Sequence, residues 1–158
     1  MRDYLFRGKE VDTNTWIEGC LSLYSEPGAV EITYPIKFED SEFNIYDSFD
    51  FAEVDPDTVG QFIGLIDKNG KKIFEGDIVR FHAGYLEGNW IGEVKYDGPC
   101  ALLVLVGYMP CRYDSRYPSR FEVQISSRDK GTFEVIGNRW DNPDYLGEDV
   151  YERLLVQR

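Results

Sequence analysis

The chain has a single histidine, His82, and no nucleophile motif stands beside it. A histidine-dependent triad thus has one candidate base and nothing arranged around it, and His82 reads as a structural residue of an apolar strand. Neither G-x-S-x-G nor H-E-x-x-H occurs. Cysteine is scarce too. Cys20, Cys100 and Cys111 are odd in number and never spaced C-x-x-C, which excludes a disulfide framework and points to reduced, partly buried thiols in a cytosol. Arg112 beside Cys111 is too little to make that thiol reactive. No apolar run approaches the roughly 18 residues needed to cross a bilayer. Residues 1–10 carry charges throughout without an apolar stretch, so no secretory signal is expected. Basic residues are also in short supply, 17 Lys and Arg against 29 Asp and Glu, for a net charge of −12. Polyanions repel such a chain, which disfavours unspecific contact with nucleic acid or an anionic membrane.

What the sequence does have is aromatic rings and corners. The 11 Tyr, 10 Phe and 3 Trp suit half-buried pleated surfaces, and 15 Gly with 7 Pro supply the turns that many short strands need. Strand patterns recur at 15–24, 30–38, 59–66, 78–82, 89–96, 101–108, 121–125 and 132–137. Pro35 demotes its strand to an edge or a strand end. Asn69-Gly70 is a hairpin turn signal, since both residues tolerate positive φ, and Gly76 marks a second corner. Asn142-Pro143 opens a short helix, and 150–158 reads as a second helical piece. The expected fold is mainly β and antiparallel, with an SH3-like barrel in the C-terminal half, additional N-terminal strands and few short helices. One domain over 1–158 is expected. It comprises an acidic β-rich part (1–69), a barrel-like part (70–142) and a short helical segment (143–158).

Three stretches carry a resemblance. They are F-R-G-K with W-I-E-G (6–9 and 16–19), T-V-G-Q-F-I-G-L-I-D-K-N-G-K-K-I-F-E-G-D-I-V (58–79) and F-E-V-I-G-N-R-W-D-N-P-D-Y-L (133–146). On these residues the chain resembles the YopX family of phage and prophage proteins. The resemblance implies a β-rich fold and a bacterial cytoplasm. It implies no activity and supplies no catalytic residue.

The chemistry-bearing candidates are few. D-x-N-G at Asp67 resembles the start of a calcium loop, but Lys71 and Lys72 stand where oxygen ligands should be. The glycines around Gly64 lack the Lys-Ser/Thr of a phosphate loop. No metal, cofactor or catalytic residue is therefore expected. Two stretches outside the resemblance hold surface candidates. R-Y-D-S-R-Y-P-S-R at 112–120 offers Arg112, Tyr113, Arg116, Tyr117 and Arg120 to nucleic acid or to a partner. The segment 39–57 has eight acidic residues, no basic one and several rings, and reads as a loop or helical turn held down by its aromatics. Its carboxylates Glu39, Asp40, Glu42, Asp47, Asp50 and Glu53 form a candidate surface for a basic partner. The function this supports is a non-enzymatic accessory protein that binds a protein partner or itself. The alternatives are nucleic-acid binding through the barrel face and the arginine loop, and acidic mimicry that captures a basic host protein.

Overall fold

A computed structural model describes residues 4–23, 29–40, 42, 44–82, 89–98, 102–109, 119–125 and 132–146. The chain divides into two compact units, Met1–Phe62 and Ile63–Arg158.

The first unit holds β1 (Phe6–Lys9), β2 (Trp16–Leu23), β3 (Val30–Glu39), β4 (Ile45–Val54) and the start of β5 (Gly60–Ile66). Every neighbour pairs antiparallel, β4 with β3, β3 with β2, β2 with β1, and β1 with β5 at Phe6–Gln61 and Arg7–Gly60. Alternation places Ile32, Ala52 and Val54 in the core of this unit. After β4 the chain turns back across the end of β1. Glu10 bridges Val54, the Val11 N–H donates to the Glu53 carbonyl at 3.0 Å, and the Asp55 N–H to the Lys9 carbonyl at 2.8 Å. A 3-10 turn at Pro56–Thr58 follows, capped by Asp55, whose side chain accepts from the Asp57 N–H at 3.0 Å. Its buried Thr58 hydroxyl accepts the Lys9 N–H at 2.9 Å.

β2 pairs with β3 only from Val30 to Thr33. Pro35 has no N–H to offer on that side, so pairing stops there. β3 and β4 continue without β2, as a two-stranded ribbon from Tyr34 to Ile45. This corrects the loop expected for 39–57. Within that strand one face mixes Asp47 and Glu53 with Ile45, Phe49 and Phe51, and the other mixes Ser48 and Asp50 with Ala52 and Val54, so neither face shows the clean apolar alternation by which a strand is recognised.

The second unit holds the rest of β5, β6 (Lys72–Phe74), β7 (Asp77–His82), β8 (Asn89–Asp97), β9 (Leu102–Met109), β10 (Ser119–Gln124) and β11 (Phe133–Asn138). Its five-stranded sheet runs β10-β9-β8-β7-β11, antiparallel throughout, with a register shift between Val135 and Gly137. Among the described residues this order is open, with β10 and β11 at its two ends. Leu65, Ile73, Val79, Trp90, Val94, Ile125 and Phe133 form its main core. Phe81 packs edge-on to Trp90, ring centroids 5.5 Å apart. A smaller cluster of Ile78 and Ile91 is covered by Ile136 and Leu146. Leu146 belongs to a 3-10 turn at Pro143–Leu146, the short helix expected after Asn142.

Candidate functional site

The stretch richest in glycine is built as scaffold. Asp67 closes the β5–β6 hairpin. Its Oδ1 accepts the N–H of Asn69 at 2.7 Å and of Lys71 at 2.9 Å, and its Oδ2 accepts the Val135 N–H at 3.1 Å. Burial pushes its pKa up, but the three N–H donors outweigh that and hold it below the ordinary 3.8. Gly70 has φ +86°, while Asn69 is not in the left-handed region. The connection is therefore a three-residue loop, a turn from Asp67 to Gly70 followed by the glycine, and not the two-residue turn that Asn-Gly suggests. Lys68 and Arg80 both reach Glu134, at 2.9 and 3.5 Å. The lysine's hydrogen bond is the chief reason the Glu134 pKa lies below its ordinary value.

The Gly76 corner is equally structural. Asp77 is fully buried and accepts the Phe74 N–H at 2.8 Å. The Gly76 N–H donates to Val94, and its carbonyl accepts from Arg139, both at 2.9 Å. A Cβ on Gly76 would lie 2.3 Å from the Trp140 ring, and its φ is +78°. Asn138 turns the chain after β11 by accepting from Trp140 and Asp141 at 3.0 and 2.8 Å. Arg139 reaches the buried Glu93 at 3.2 Å, and Lys95 reaches it at 2.9 Å.

The β3–β4 ribbon has the opposite character. Ile45, Asp47, Phe49, Phe51 and Glu53 alternate onto one face of β4, and all five are exposed. Ile45 is 65% exposed, Phe49 74% and Phe51 66%. Three large apolar side chains in water on one strand are not needed for packing, and contiguous exposed apolar surface marks interaction sites. Glu39 lies opposite Ile45 on the same face, and Lys37 lies 3.9 Å from Asp47. The structure thus sets Glu39, Asp47 and Glu53 of the predicted acidic set on one face, spread along the length of the β3–β4 pair. Asp40 instead shapes the turn, accepting the N–H groups of Glu42 and Asn44 at 2.8 and 3.0 Å. Glu42 is exposed at that turn. Asp50 is on the other face opposite Tyr34. Burial raises the pKa of the Tyr34 phenol, and the Asp50 and Glu10 carboxylates add to it.

Arg112, Tyr113, Arg116 and Tyr117 lie outside the described residues, as do Cys100, Cys111 and 150–158. Arg120 is placed by its backbone in β10, opposite Tyr108, and His82 by its backbone in β7, opposite Asn89. Cys20 is free and exposed on β2, where a partly buried thiol was expected. Among the described residues no group of three His, Cys, Asp or Glu could hold a metal, and no helix is long and apolar enough to cross a membrane.

The exposed ribbon was missed from the sequence, although a period-two reading of I-Y-D-S-F-D-F-A-E-V exposes it, apolar and acidic residues sharing the odd positions. Fold and surface define an all-β, antiparallel protein whose unusual feature is an acidic, aromatic edge strand. The chain belongs to the YopX protein family, whose model matches residues 5–147. No curated protein matches it. The stretches that carry the family are those that meet inside each unit: Thr58 on Lys9, Asp67 on Val135, and Gly76 under Trp140.

Proposed function

We propose that the protein is a phage or prophage accessory protein that acts in the bacterial cytoplasm by binding a protein partner, without catalysis. The observation that carries this reading is the exposure of Ile45, Phe49 and Phe51 on an edge strand that also bears Asp47 and Glu53. Such a surface costs solubility unless something covers it. The Met1–Phe62 unit holds four basic and fourteen acidic residues, so the partner is basic. Acidic mimicry of a polyanion is one form of this reading. An SH3-like winding of the second unit belongs to the same proposal. What supports it is the order of a meander, β7 to β10, whose last strand β11 returns beside β7.

The test is affinity capture from bacterial lysate with the wild-type chain and with the double variant Phe49→Thr/Phe51→Thr. The expected outcome is a discrete protein retained by the first and lost by the second. Equal capture by both, or substrate turnover in a broad enzymatic screen, overturns the reading.

A further inference from the structure

We infer that β4 recognises its partner by strand addition: its open edge takes up an extended segment, antiparallel, with a basic residue opposite Asp47 and apolar residues opposite Phe49 and Phe51. This rests on the reading that the ribbon is the binding surface, and it specifies how the surface binds.

The edge is identified by the hydrogen bonds at its far end. The Glu53 carbonyl accepts from Val11 and the Asp55 N–H donates to Lys9, both on the side away from β3. Backbone groups alternate sides with period two along a strand. Ile45, Asp47, Phe49 and Phe51 therefore turn their N–H and C=O groups to that same side. The Phe51 N–H is held there by the Asp50 carboxylate at 2.9 Å. Among the described residues, no hydrogen bond engages the edge-facing main-chain groups of Ile45, Asp47 and Phe49. Lys9–Val11 already pairs antiparallel at the C-terminal end of this edge, so an incoming segment continues a pairing that the chain itself begins.

Side chains set the chemistry. On one face the strand reads acid, ring, ring at alternate positions, Asp47, Phe49 and Phe51, with Glu53 one step beyond. Directly opposed cross-strand pairs are the unit of recognition, so the complement is basic, apolar, apolar at alternate positions. A second copy fits poorly. Every antiparallel register of β4 on β4 that brings the rings together sets Asp47 or Glu53 opposite a ring or another carboxylate. Each chain also brings a net charge of −12.

The experiment uses the full chain and an N-acetylated peptide, Val-Thr-Val-Thr-Lys, labelled at its C-terminal end, which in an antiparallel register sets its valines opposite Phe51 and Phe49 and its lysine opposite Asp47, followed by fluorescence anisotropy at low and high salt. Binding is expected at low salt, weakened by salt. A peptide with Glu in place of Lys should bind about tenfold or more weakly, as should the wild-type peptide to Phe49→Thr/Phe51→Thr. N-methylation of the two valine amides, which would face β4, should abolish binding, while N-methylation of the threonine amides leaves it. Because the methylated peptides leave the protein untouched, a folding defect cannot imitate the result. No binding of the basic peptide, or binding indifferent to valine N-methylation, overturns strand addition. If Phe49→Thr/Phe51→Thr still abolishes partner capture, only the mode of binding has failed and the ribbon reading stands. A dimer in sedimentation that the double variant dissolves would make the occupant a second copy and overturn the inference.

Discussion

The Asp67 carboxylate, at the tip of a hairpin, accepts the main-chain N–H of Val135 at 3.1 Å across a sequence separation of 68. Asp67 is only 5% exposed, so its three accepted hydrogen bonds lie largely out of water. Asp67→Ala strands three donors at once and should destabilise by about 3 kcal/mol. Asp67→Asn keeps one acceptor but turns a donor toward one N–H, and should cost about half that. Urea midpoints of the purified variants check both values.

The same residue makes stability depend on pH. Its folded pKa is below the ordinary 3.8, so its contribution is complete above that value and is lost as pH falls through the folded pKa. Glu134, also lowered, acts in the same direction. Stability should therefore fall in acid below about pH 4. Asp67→Asn should flatten that slope in urea titrations at a series of pH values.

Gly70 and Gly76 share a left-handed backbone but not a neighbourhood. A Cβ on Gly70 meets nothing within 4 Å, whereas one on Gly76 lands in the Trp140 ring. Gly70→Ala should cost about 1 kcal/mol from backbone strain alone. Gly76→Ala adds overpacking and should cost roughly 3 kcal/mol. In a double-mutant cycle, Trp140→Leu should relieve part of the Gly76→Ala cost but none of the Gly70→Ala cost.

The ribbon should be the first part of its unit to open. Beyond Thr33 it is two strands without a third, and an isolated hairpin is marginally stable in water. Hydrogen exchange should show faster amide exchange for Ile36, Ser48 and Asp50 than for Ile32 and Ala52. A bound partner should slow the ribbon amides selectively.

Phe49 and Phe51 should be dispensable for folding. Phe49→Thr and Phe51→Thr should each shift stability by no more than about 0.5 kcal/mol. Val54→Ala, at a fully buried position of the same strand, should cost about 2 kcal/mol. Thermal melts of the three variants compare them directly.

Local events were legible in the residues alone. Positive φ at Gly70 and Gly76 follows from the absence of a side chain, the 3-10 turn after Asn142 from a capping residue followed by proline, and most strands from period-two patterns. These are decided by a residue and its neighbours. What Asp67 and Trp140 meet was decided only by tertiary structure, because Val135 and Gly76 are remote in the chain and come near only when register and strand order are set. The character of 39–57 was decided there too. A strand that mixes acid and ring on one face carries no clear local signal, and it became a strand because β3 supplied a partner in register. Pro35 ended the pairing with β2 and left a two-stranded ribbon, while Phe51, opposite Thr33 where β2 still pairs, is exposed by the face it occupies and not by the loss of a third strand.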